Sequence, residues 1–130
     1  MMESIRQVEH FLPGQLTAEG LDPRWQAIIT LEPLIESDPE ALWPFIARWG
    51  SHPDEDLRMA IATCLLEHLL ESHFATYFPR VEVIAQTNSF FGETFQFCWP
   101  LGQAQMPENR ERYTALSTLL LSGLPDPNGE

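Results

Sequence analysis

The sequence predicts an all-α protein built from stacked antiparallel helix pairs. Two observations give the class: apolar residues recur at helical spacing between proline, glycine and capping residues, and alternating period-2 runs flanked by hairpin turns are missing. A third gives the pairing. Offsetting the chain against itself by 34 residues brings Leu57 onto Phe91, Ile61 onto Phe95, Cys64 onto Cys98 and Leu65 onto Trp99, a period that suits a two-helix repeat.

Taken in order, Glu3 to Leu12 places Ile5, Val8, Phe11 and Leu12 on one stripe and stops at Pro13-Gly14, which predicts a short lead-in helix. Asp22-Pro23 supplies a cap and a proline first turn for a helix through Trp25, Ile28, Ile29, Leu31 and Ile35, which Pro33 should bend or break. The same start signal returns at Asp38-Pro39. Leu42, Phe45, Ile46 and Trp49 follow at i, i+3, i+4 and i+7, with Pro44 expected to kink the helix and Gly50 to end it in the left-handed conformation. Asp54 to Ser72 is the strongest segment. Its three leading acids suit the helix dipole, and Leu57, Ala60, Ile61, Cys64, Leu65, Leu66, Leu69 and Leu70 cover most of its circumference. Only Glu55, Thr63, Glu67 and Glu71 form a polar strip, so this helix should sit at the centre of the domain.

Phe74 to Thr87 is helical in period through Tyr77, Phe78, Val81, Ile84 and Ala85, with Pro79 interrupting early. Ser89 to Leu101 is rich enough in aromatics for helix or strand, and the spacing of Phe91, Phe95 and Cys98 favours helix. Pro107 opens a final helix through Tyr113, Leu116, Leu119 and Leu120 to Gly123. One helical domain over residues 1–124 is expected, followed by a flexible tail over 125–130.

The run from Leu42-Trp43-Pro44 to Trp49-Gly50, the acidic turn, and then Asp56-Leu57-Arg58-Met59-Ala60 resembles a HEAT repeat. The likeness covers about thirty residues, and the flanking pairs lack the Asp and Arg. It implies a short right-handed α-α superhelix, with Asp56 and Arg58 bonding structurally from one helix pair to the next.

Composition narrows function. Nineteen acidic residues against seven basic ones give a net charge of −12, which repels phosphate backbones and anionic membranes and allows a basic protein partner. All seven basic residues are Arg, which fits either biased codon usage or selection for bidentate contacts. The N-terminal residues lack the layout of a secretory signal and no apolar run is long enough to span a bilayer, so the cytoplasm is the expected location. Cys64 and Cys98, isolated in apolar stretches, read as buried free thiols.

No cofactor, metal or catalytic residue is expected. His68, Glu71 and His73 invite a metal reading, but His73 is five residues from His68 and points to another side of the helix. His52 with Asp54, Glu55 and Asp56 is what helix capping alone requires, and Cys64 is too buried to be a nucleophile. Trp25, Trp43 and Arg48 are candidate partner anchors. The leading expectation is a non-enzymatic module that binds a basic protein, with an immunity or antitoxin-type protein as its concrete form. A HEAT-like DNA glycosylase of the alkylation-repair type and a small regulatory or assembly subunit are the alternatives. Oligomeric state is left open.

Overall fold

The computed structural model describes residues 23–122, and every regular element among them is helical. In chain order these are α1 (Pro23–Ile29), α2 (Leu34–Ser37), α3 (Pro39–Trp49) and α4 (Glu55–Ile61), then α5 (Glu67–Thr87), α6 (Ser89–Gln96) and α7 (Pro107–Ser122). A π-helical turn over Ala62–Leu66 joins α4 to α5, and a 3-10 turn over Gly102–Gln105 precedes α7. The expected lead-in helix over residues 3–12 and the tail over 125–130 lie outside the described residues. No helix among the described residues is long and apolar enough to cross a membrane.

Local chemistry accounts for the starts. Asp38, Asp54 and Asn88 each accept a hydrogen bond from the backbone N–H three residues on, at 3.3, 3.2 and 3.1 Å, so each satisfies a donor that the first helical turn leaves open. Pro39 occupies the first position of α3, where its missing N–H costs nothing. The break expected at Pro33 is present: α1 ends at Ile29 and Pro33 stands at the start of α2. Helices α3 and α5 continue through Pro44 and Pro79, both exposed.

The expected Asp54 to Ser72 helix is continuous through the π-helical turn, where the Glu67 N–H reaches back to the Ala62 carbonyl. His73, with φ −137° and ψ 43°, then interrupts the helical path at the boundary the sequence placed between Ser72 and Phe74. Leu57, Ile61, Leu65, Leu66, Leu69 and Leu70 are all buried, as the central position of this segment requires. Around it, Phe74 and Phe78 stack at 4.4 Å, and Phe95 meets Tyr113 at 4.7 Å, which joins α5, α6 and α7 through one aromatic cluster.

Four expectations need correction. Gly50 does not adopt the left-handed conformation (φ −69°, ψ −13°); a Cβ there would lie 2.7 Å from the Ile46 carbonyl oxygen and 2.9 Å from the Phe91 ring, so close approach is what requires glycine. Glu67 is buried rather than part of the solvated strip, because its carboxylate accepts the Trp99 N–H at 3.0 Å. The helix beginning at Ser89 ends at Gln96, and residues 97–101 form a connecting loop. That loop breaks the internal repeat: Leu57, Ile61 and Cys64 are buried like their counterparts Phe91, Phe95 and Cys98, but Leu65 is buried and Trp99 is 71% exposed.

Between α3 and α5, the Tyr77 hydroxyl donates to Glu40 at 2.5 Å and Arg80 pairs with the same carboxylate at 3.1 Å. Burial, then the Glu40 bond, push the Tyr77 phenol up to about 12, and burial also raises Tyr113. Both tyrosines of the chain therefore fold in the neutral form, and their contribution to stability is complete below about pH 10 and is lost as pH rises through the folded values. Phenolate absorbance should be nearly absent at pH 10 in the native protein and should emerge together with unfolding above it. Ordinary tyrosine titration without loss of helicity would contradict this. In the core, replacing Ile61 or Leu65 with Ala should lower the unfolding free energy by roughly 2 to 5 kcal/mol in denaturant titrations.

Candidate functional site

Asp56 and Arg58 stand in the first turn of α4 and reach in opposite directions along the chain. The Asp56 carboxylate accepts from the Trp25 indole N–H at 3.0 Å, thirty-one residues back, and so fixes α1 on α4. Arg58 is 2% exposed. Its Nη1 donates to the carbonyls of His52 and Pro53 at 2.9 and 2.8 Å, and its Nη2 meets Glu93 of α6 at 2.5 Å, thirty-five residues on. The guanidinium also lies 4.9 Å from the Phe90 ring centroid. The one polar atom of this group without a partner is Nε.

The three candidate anchors occupy different settings. Trp25 is half-buried and engaged with Asp56. Trp43 is also half-buried, its ring 5.8 Å from Tyr77 and 6.2 Å from Phe91, and its outer edge forms one wall of an apolar groove of about 420 Å³ with Ala47, Pro79, Arg80, Val83 and Ile84. Arg48 is exposed and lies over the Trp49 ring at 4.7 Å. The contacts described link each of the three to different residues.

The polar clusters weighed from the sequence are engaged internally. His68 Nδ1 meets Glu71 at 2.9 Å, while His73 Nε2 donates to the Ile35 carbonyl at 2.9 Å and so faces α2. No group of three or more metal-ligating side chains converges among the described residues. Asp54 caps α4, and its own N–H donates to His52 Nδ1 at 3.1 Å. Burial raises the thiols of both Cys64 and Cys98, which lowers their nucleophilic fraction at neutral pH.

The sequence reading missed a second cavity, of about 560 Å³, between the end of α6, the loop 97–101 and α7. Arg110, Tyr113, Thr114 and Ser117 line one side at i, i+3, i+4 and i+7 of α7, and Phe97, Trp99 and Pro100 line the other. The Tyr113 hydroxyl is buried and has no hydrogen-bond partner. Arg110 forms no ion pair among the described residues, unlike Arg58, Arg80 and Arg112. Gln96 and Ser117 close one end through two mutual hydrogen bonds of 3.2 Å. The sequence signal was the polar i, i+3, i+4, i+7 set on a helix whose apolar residues drew attention first.

Loss of the buried guanidinium should cost more than loss of its carboxylate partner. Glu93 is 59% exposed, so water can replace much of its contact, and Glu93→Ala should cost about 1 kcal/mol. Arg58→Ala also strands two turn carbonyls and removes packing on Phe90, for about 3 kcal/mol. Equal losses in chemical denaturation would show that the ion pair, not the burial, dominates.

Against known proteins the chain matches no family model, no curated protein and no solved structure.

Proposed function

We propose that this chain is a non-enzymatic binding module whose acidic surface engages a basic protein partner. The observation that carries the reading is how the cations are used. Arg58, Arg80 and Arg112 are held by Glu93, Glu40 and Glu82, while exposed Glu36, Glu55, Glu108 and Glu111 have no arginine paired with them among the described residues. Among the described residues the surface charge left over is mainly carboxylate. A field of that sign speeds and selects encounters with cationic proteins.

A short HEAT-like right-handed superhelix is the scaffold we infer. Its support is that Asp56 reaches back thirty-one residues and Arg58 forward thirty-five, close to the repeat spacing. The concrete form is an immunity or antitoxin-type protein of the cytoplasm that masks a cationic nuclease or toxin. Trp43 and Arg48 are the proposed anchors, and exposed Trp99 joins them; Trp25, occupied by Asp56, is the weakest of the original set.

A regulatory or assembly subunit is the second reading, favoured by Val83 at 67% exposure on α5 and Leu121 at 79% on α7. The glycosylase reading requires a basic groove, and the arginine pairing described above leaves it without support.

Kinetics distinguish these. Association with a cationic protein partner should slow at least tenfold or so between low salt and ~1 M salt, where charges are screened within about 3 Å. A salt-insensitive association rate would sink the acidic-binder reading, and tight binding to duplex DNA at physiological salt would restore the glycosylase.

A further inference from the structure

The cavity between α6, the loop 97–101 and α7 combines three features that the acidic surface does not explain. Its α7 wall brings an unpaired Arg110 guanidinium together with the hydroxyls of Tyr113 and Thr114 on one helical face. Opposite stand Trp99, Phe97 and Pro100, a flat apolar wall, with Trp99 largely open to solvent. The wall is fixed in place. Glu67 accepts the Trp99 N–H at 3.0 Å, and the Cys98 thiol lies 3.6 Å from the Ala62 carbonyl, so the loop is tied to the central helix at Trp99 and at the residue before it.

A buried tyrosine hydroxyl without an acceptor costs free energy in the empty protein, and that cost is removed by any acceptor that reaches it. Two charges act on that hydroxyl, the buried Glu67 carboxylate and the Arg110 guanidinium; Glu67 already accepts the Trp99 N–H, so the charge left to meet a ligand is the cation and the fitting acceptor is an anion. A guanidinium favours a planar carboxylate, and an indole face favours a flat apolar body. The volume of about 560 Å³ lies in the range of small-molecule sites. We propose that this cavity binds a small aromatic monocarboxylate, with Arg110 and the Tyr113 hydroxyl on the carboxylate and Trp99 stacked on the ring. The proposal shares Trp99 with the anchors proposed above and otherwise stands independently of the basic-protein partner.

The probe is 2-naphthoate, titrated into the full-length protein by calorimetry with amide chemical shifts recorded in parallel. Expected are saturable binding, shifts centred on residues 96–101 and 110–117, and affinity lower by about tenfold or more for the neutral analogue 2-naphthalenemethanol. Arg110→Gln and Trp99→Ala, both at exposed positions, should each weaken binding by about tenfold while leaving the thermal midpoint unchanged. Tyr113→Phe should weaken binding yet leave the empty protein at least as stable, a combination that a purely structural hydroxyl does not give. Val83→Ser, in the other groove, should leave binding unaltered. The proposal is overturned if no saturable binding occurs, if the alcohol binds as well as the carboxylate, or if the shifts centre on Trp43 and Val83.

Discussion

The buried guanidinium of Arg58 is the constraint around which the central part of the chain is organised. A charge at 2% exposure is stable only where its lost hydration is replaced by hydrogen bonds and a counter-charge. That requirement dictates the turn before α4: the carbonyls of His52 and Pro53 must both point at Nη1. Asp54 then caps the helix immediately after them, which sets the angle at which the turn meets α4. Glu93 completes the set from α6, and Phe90, one turn earlier on that helix, covers the guanidinium face. One side chain thereby fixes a turn, a helix start and a distant helix together.

Close backbone approach does the rest of the positioning. Gly50 lets the Phe91 ring rest against the end of α3, and the Thr94 hydroxyl then reaches the Gly50 carbonyl at 2.5 Å. Gly102 adopts φ +49° directly above Glu71, where a Cβ would fall 2.5 Å from Cγ. Its 3-10 turn places the Gln103 side chain to accept the Phe74 N–H at 3.0 Å, just beyond the interruption at His73. The kink in α5 is thus satisfied from a segment twenty-nine residues away, and the loop bearing Trp99 is drawn against the same helix by Glu67.

How much of this the sequence disclosed follows from the range of each interaction. Helix starts at Asp38 and Asp54 were legible because a cap involves residues three apart, and the burial of Ile61 and Leu65 was legible because a stripe of that width has no solvent side. Gly50 was read as a helix terminator from its position alone; its actual neighbour, Phe91, is forty-one residues on and leaves no local trace. Glu67 read as solvated because nothing near it in sequence announces the Trp99 amide. Trp99 read as repeat core because the 34-residue offset carried three buried pairs before it, and the pattern fails only where α6 stops at Gln96. The cavity on α7 escaped for a related reason: its far wall comes from a loop whose path is set by those same long-range bonds.

The composition gains a physical account from the same contacts. Codon bias and bidentate bonding were the two readings of a chain with seven arginines and no lysine, and the bidentate reading alone does not fit. Four arginines instead share a different habit. Arg48 lies over Trp49, Arg58 over Phe90, Arg80 over Tyr77 and Arg112 over Phe78, with guanidinium carbons 4.7 to 5.1 Å from the ring centroids. A planar, weakly hydrated cation can cover an aromatic face while its edge still reaches a carboxylate, as Arg80 does with Glu40 and Arg112 with Glu82. A lysine ammonium, compact and strongly hydrated, serves one of those contacts at a time. In a domain this rich in phenylalanine and tryptophan, arginine therefore shields rings that the helices cannot fully bury. Arg58, Arg80 and Arg112 each also pair with a glutamate, so those three cations do little to offset the surface carboxylates.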